Sequence, residues 1–304
     1  MNYLLILVSV LAFSCNSFGT RLFQTRFSGA ERRLPLYQAL CCLISTLCFW
    51  GAGRFGLPDL RTALYGVAFG VFFFLATAMA AKGFSTGSMA LTSVIMNMSL
   101  IIPVLYSIVV PPRESLSWLH LLGFALFCVS VVFSAVTKGE QKKATFLWMV
   151  VVLIGFASNG LTAAIQKHYM RNTPDEGGEV FLATAYATAT LCFLVTCLVK
   201  PLTAPKETPA DSERSPAAVS RKIGYGVAFL GVALLAGVGS FGGNLLMGAL
   251  SDQVPGAILY PCINGGLAVC TTLFSFLIFR EKPTLQKICS ILFGCAAIVV
   301  LNLG

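Results

Sequence analysis

The side chains in this sequence best placed to do chemistry are amides and hydroxyls standing alone inside long apolar runs. They fall into two sets. Asn16, Ser17, Thr20, Thr77, Ser93 and Asn97 lie in the first half of the chain, and Asn159, Thr162, Gln166, Asn244, Tyr260 and Asn264 in the second. A buried amide or hydroxyl in hydrocarbon finds no water, so it must find another partner. One partner is a neighbouring helix, where such a bond adds roughly 0.6–2 kcal/mol of cohesion. The other is a small polar molecule, whose donors and acceptors these groups match without adding charge. Asn16, Thr20, Thr77, Ser93, Asn97, Asn159, Gln166, Asn244, Tyr260 and Asn264 are therefore the candidate binding residues. Nucleophilic or acid–base catalysis has no counterpart inside the runs: they contain no paired acids, no histidine cluster and no Gly-x-Ser-x-Gly. The 11 cysteines show no Cys-x-x-Cys and no Cys/His metal spacing, and read as small apolar packing residues. No cofactor or metal is indicated.

The elements that must position these groups are membrane-spanning helices. Of 304 residues, 57% are hydrophobic and only 11% charged, and mean hydropathy is +0.82. A soluble domain would carry roughly a quarter charged residues. The apolar runs have the length that crosses a bilayer as a helix, about 17–25 residues. Ten are predicted, over residues 2–20, 35–52, 62–82, 88–110, 116–137, 145–167, 179–199, 224–249, 254–279 and 286–303. Alternating apolar and polar residues, the mark of a barrel strand, are absent, so the expected class is all-α. The first run lacks a basic leader segment before Leu4 and reads as a helix rather than a cleaved signal. The longest polar stretch, residues 201–222, is rich in Pro, Ser and charge and reads as a flexible connector.

Charge sets the expected orientation. The odd-numbered connections hold 16 of the 21 Lys and Arg, while Arg54, Arg61, Arg113, Lys167 and Arg171 fall on the other side. The positive-inside rule puts the rich side in the cytoplasm of a multi-pass cell-membrane protein, with both termini outside. Cationic loops beside an anionic leaflet account for the net charge of +9, and no nucleic-acid partner is needed.

The chain also repeats itself. Displaced by 167 positions, residues 88–114 overlay 255–281 without a gap, matching Asn97 to Asn264 and Arg113-Glu114 to Arg280-Glu281. The same displacement sets Thr77 over Asn244 and Gly70 over Gly237, and Asn16 and Asn159 open the two halves in similar settings. This divides the chain into residues 1–140 and 141–304. Five spans per copy, an odd number, make the second copy enter from the opposite face. Basic residues swap accordingly, from four and two in the first two connections to two and five in their counterparts. Inverted repeats of this kind are a common build for secondary transporters.

These features resemble the drug/metabolite transporter superfamily, and within it the ten-helix EamA-like permeases. The resemblance rests on the mid-span Asn of spans 1 and 6 and on Arg280-Glu281-Lys282-Pro283 followed by Gly294. Glu114 with Gly123 is the weaker copy. It covers essentially the whole chain. One departure is the first span, which reads Asn16-Ser17-Phe18-Gly19 where the family often has Trp-Gly. The resemblance implies alternating access around a cavity built from spans 1–4 and 6–9. Spans 5 and 10 would be peripheral, free to face lipid or to pair in a homodimer.

Span centres hold no Asp, Glu, Lys or Arg, so proton coupling through a buried carboxylate is not expected, and neutral or zwitterionic small molecules suit the site better than anions. Pro103 and Pro261 interrupt backbone bonding within their spans. Gly66-xxx-Gly70 and Gly239-xxx-Gly243 allow close helix approach. Arg113-Glu114 and Arg280-Glu281 read as interfacial pairs, Trp118 and Trp148 as an aromatic belt, and His120 and His168 as interface residues without catalysis. A membrane-embedded enzyme and a receptor or scaffold are the competing classes. The first lacks catalytic groups and the second lacks a sizeable soluble domain.

Overall fold

A computed structural model describes residues 3–27, 30–87, 89–110, 117–135, 145–173, 178–203, 216–251, 253–277 and 285–303. Among these there are eleven helices and no strand. They are α1 (Tyr3–Arg26), α2 (Ala30–Ala52), α3 (Leu60–Thr86), α4 (Met89–Met98), α5 (Ile101–Val109), α6 (Trp118–Ala135), α7 (Phe146–Asn172), α8 (Gly178–Thr203), α9 (Pro216–Ser251), α10 (Gly256–Leu277) and α11 (Leu285–Leu303). Seven helical stretches are long and apolar enough to cross a bilayer, α4 and α5 counting together as one, as in a multi-pass membrane protein. Large apolar side chains cover the outside of the bundle, among them Leu47, Leu64, Leu121, Leu191, Leu234 and Leu292. In water that surface would cost about 25 cal/mol per Å²; against lipid tails the cost disappears.

Where the sequence predicts one helix over 88–110, the backbone breaks at Ser99-Leu100. The cause is Pro103, which has no amide hydrogen for the Ser99 carbonyl four residues earlier. Ile102 N donates to Ser99 O instead, at 3.0 Å, tightening the turn. Asn159 of α7 satisfies the break from outside, its Nδ2 donating to Ser99 Oγ at 2.7 Å and to Met96 O at 3.4 Å. Pro261, by contrast, sits within a continuous α10. The connector expected over 201–222 is helical up to Thr203 and again from Pro216, while residues 204–215 lie outside the described residues. So do Arg113-Glu114 and Arg280-Glu281.

α1 lies along α9 and α3 along α7; α2 packs on α8 and α9, α3 on α8, α6 on α11, and α10 on α1 and α11. Glycines make the closest approaches. A Cβ at Gly70 would stand 2.3 Å from Ala185 O of α8, and one at Gly239 2.6 Å from Ala12 O of α1. Both Gly-xxx-Gly stretches therefore seat one helix directly on another.

Aromatic clusters gather toward the two ends of the bundle. At one end Phe49, Phe69, Tyr169, Phe181 and Tyr186 join α2, α3, α7 and α8. At the other, Phe23 stacks on Tyr37 with centroids 4.1 Å apart, and Phe229 of α9 meets both edge-on. Trp148 also belongs to this second end. It is buried rather than at the lipid surface, its Nε1 donating to Thr92 Oγ1 at 3.0 Å. Trp118 is exposed.

Candidate functional site

α9 carries Ser240 and Asn244 one turn apart, and both turn inward to α8 and α7. Tyr186 of α8 and Ser240 share a hydroxyl–hydroxyl hydrogen bond of 2.8 Å. Asn244 Nδ2 donates to the Tyr186 hydroxyl at 2.8 Å and to Ser240 O at 2.9 Å. From α7, Gln166 Nε2 donates to the backbone carbonyl of Asn244 at 3.2 Å. All four residues are buried. The result is a continuous polar network joining three helices inside an apolar bundle, where each satisfied bond is reinforced by the low local dielectric.

One atom of the network is left over. Gln166 Oε1 is buried and has no hydrogen-bond partner. A stranded acceptor of this kind costs about 1–3 kcal/mol, and buried polar groups are otherwise almost always paired. It is an acceptor whose chemistry matches an N–H or O–H donor.

The stripe continues along α9. One turn before Ser240, the carbonyl of Ala236 accepts Asn16 Nδ2 of α1 at 2.9 Å. Amides from two different helices thus reach the same face of α9. Tyr260 of α10 closes the neighbouring layer, its buried hydroxyl donating to Ala163 O of α7 at 3.2 Å.

Of the residues expected from the sequence, Gln166 and Asn244 are brought together, with Asn16 and Tyr260 on adjoining turns. Asn159 serves the α4–α5 break. Asn97, Asn264 and Thr77 each bond the carbonyl four residues back in their own helix, namely Ser93, Tyr260 and Phe73, and so does Thr162, to Ser158. Thr20 faces the phenol of Tyr37. Ser17 lines a small crevice between α1 and α10 with Phe18, Arg21, Thr271 and Phe274.

Sequence reasoning missed Tyr186, Ser240 and Ser99. It also set Lys167 at the last position of a span and counted its charge with the connection that follows. Lys167 lies in α7 and is completely buried. Its Nζ stands 5.9 Å from the Tyr260 ring centroid and against Gly256, where a Cβ would come within 2.7 Å of it and 2.6 Å of Ser107 Oγ. The signal available was its place directly after Gln166, inside a helix that continues past it to Asn172. Removing an ionisable group this completely from water is costly. Among the described residues there is no group of three or more His, Cys, Asp or Glu able to hold a metal.

No family model matches the chain, and no curated protein matches it. Solved structures do, in 28 chains. One, described as "Crystal structure of protein", is similar over 99% of this chain and 96% of its own length, with a TM-score of 0.63 and 16% identity. The two share a fold. At that identity the likeness reaches no further than the path of the backbone.

Proposed function

We propose that this chain is a secondary carrier of small polar or amphipathic metabolites or drugs, of the EamA-like drug/metabolite transporter type, working by alternating access. The observation that carries the reading is the buried Gln166–Asn244–Tyr186–Ser240 network, with the Gln166 amide oxygen unengaged. It offers hydrogen bonds inside an apolar bundle without a catalytic nucleophile or base, which suits reversible binding rather than turnover.

Packing supports two inverted five-span halves. Let α1 correspond to α7, α2 to α8, α3 to α9, α4 with α5 to α10, and α6 to α11. The pair α1·α9 then exchanges with α7·α3, α2·α9 with α8·α3, and α1·α10 with α7 against α4 and α5; α2·α8 and α6·α11 map onto themselves. A pseudo-twofold axis in the membrane plane produces this exchange. Ten passes, both termini outside and a cell-membrane location follow from the same reading. α6 and α11, paired with each other at the edge, are the elements available for a homodimer.

The test is flux. Protein in liposomes, offered a panel of radiolabelled amino acids, nucleosides, sugars and drugs, should exchange at least one of them. Gln166→Leu and Asn244→Ala should each lower that exchange roughly 2–10-fold, the worth of one hydrogen bond to a bound solute. Exchange at the wild-type rate in both variants removes the site, and no exchange of any solute removes the carrier.

A further inference from the structure

α1 and α9 meet where the apolar run of one stops, at Arg26, and that of the other begins, at Gly226. Between them lies a groove of about 400 Å³, lined by Leu22, Arg26 and Phe27 of α1 and by Ala228 and Val232 of α9. Ligand sites commonly measure roughly 300–1,000 Å³. Arg26 and Ala228 are exposed, so the groove opens outward. Its back is formed by Phe27, which is buried and meets Phe229 edge-on with ring centroids 5.7 Å apart. Its inner end is shut at Gly19, where a Cβ would stand 3.1 Å from Val232 O and 3.0 Å from Ala236 Cβ. The groove therefore faces the bilayer and does not run through to the Gln166–Asn244 network.

Charge is graded along it. Arg26 stands at the rim, while Leu22 and Val232 lie one turn deeper in their spans. Among the described residues the Arg26 guanidinium has no hydrogen bond or ion pair. The helix ends gathered here are basic: Arg32 and Arg33 lie in the first turn of α2 and Arg221 and Lys222 in the second turn of α9, against one acid, Glu31. Asp59 and Glu179 open α3 and α8 at the opposite end of the bundle. With 36 residues, α9 is about 54 Å long, against about 30 Å of hydrocarbon. Its basic first turns thus extend past the acyl chains to the depth of the headgroups.

We propose that this groove binds one anionic phospholipid, its phosphate paired with Arg26 and the upper part of an acyl chain laid over Leu22, Phe27, Ala228 and Val232. A guanidinium offers phosphate two parallel N–H donors. An anionic headgroup gains further from each Lys or Arg nearby, whereas the ammonium of a zwitterionic headgroup is set against the same basic surface. A free anion would engage the arginine and leave the apolar walls uncovered; a phospholipid satisfies both. The inference requires only that the chain spans a bilayer, and no transported solute enters it.

The test is photolabelling of the full-length protein in phosphatidylcholine nanodiscs that carry a trace of phosphatidylglycerol with a diazirine in its acyl chain. Mass spectrometry of the peptides maps the label. It should concentrate on residues 22–27 and 225–232, be competed by unlabelled phosphatidylglycerol, and resist both added phosphatidylcholine and inorganic phosphate. Arg26→Gln should lower labelling there about fivefold. Ala228→Trp, which fills the groove and leaves the arginine in place, should lower it at least as much. Label spread evenly over the lipid-facing helices, equal competition by phosphatidylcholine, displacement by inorganic phosphate, or wild-type labelling in Arg26→Gln overturns the proposal. Should Ala228→Trp fail to fold, the label map, the competitions and Arg26→Gln decide alone. Failure here is separable from failure of the flux assay, which reads a different site.

Discussion

A glutamine buried in hydrocarbon has two partners to find, and Gln166 has found one. Replacing it with leucine exchanges one hydrogen bond and one stranded acceptor for apolar surface of similar size. We expect Gln166→Leu to shift unfolding stability by no more than about 1 kcal/mol, measured by thermal unfolding in detergent, even as flux falls. A purely structural role would show the opposite pattern. Asn244→Ala should cost more, roughly 1–2 kcal/mol, because it strips a donor from the Tyr186 hydroxyl and from the Ser240 carbonyl. That Gln166 and Asn244 are amides in need of partners was legible in the sequence, since a lone amide in an apolar run is conspicuous. That they meet was not, because the contact joins α7 to α9 and depends on packing. Tyr186 passed as one more aromatic and Ser240 as one more small residue. Asn97 and Asn264 each find a partner within their own helix. A mid-helix amide can reach back to its own helix's carbonyls, so a matched pair in the repeat need not converge.

At the scale of elements, glycine sets how closely helices lie. Gly70→Ala puts a methyl group 2.3 Å from a backbone oxygen that cannot move aside, and should cost roughly 1–3 kcal/mol or more as α3 is pushed from α8. Gly226→Ala meets nothing within 4 Å and should be neutral or stabilising by up to about 1 kcal/mol. The same thermal assay separates them. Helix starts have their own chemistry. Asp59, exposed at the head of α3, accepts from Arg61 N and Thr62 N, and these bonds with the Thr62 side chain hold its carboxyl below the usual range. A lowered folded-state value means the cap's contribution is present above the ordinary carboxylate range and lost as pH falls through the folded value. Amide exchange at Arg61 and Thr62, corrected for intrinsic rates, should therefore rise on acidification below about pH 4, and Asp59→Ala should show the raised exchange at neutral pH. Helix positions were readable because apolar run length and bilayer thickness constrain each other. The break in the fourth span was half-readable. Pro103 announces a disturbance, but its effect falls four residues upstream, at the carbonyl it leaves unbonded.

For the whole molecule, the fold class needed only hydropathy, since a lipid-exposed backbone has no alternative to helix or closed barrel. Orientation depends on loop charge and is open to a direct check. Single cysteines placed in the polar stretch 201–222 of an otherwise cysteine-free chain should resist a membrane-impermeant thiol reagent in intact cells and react after permeabilisation. Ready labelling in intact cells would reverse the assignment of faces. The jointed fourth span has a consequence at this scale. A single stiff rod hands any tilt at one surface of the membrane straight to the other. With an elbow at Ser99-Leu100, steadied by Asn159, α5 leans on α7 and α10 while α4 leans on α3, α6 and α7. Tilt of one half is therefore not handed rigidly to the other, and that is the mechanical property the proposed carrier would need to keep one door shut while the other stands ajar.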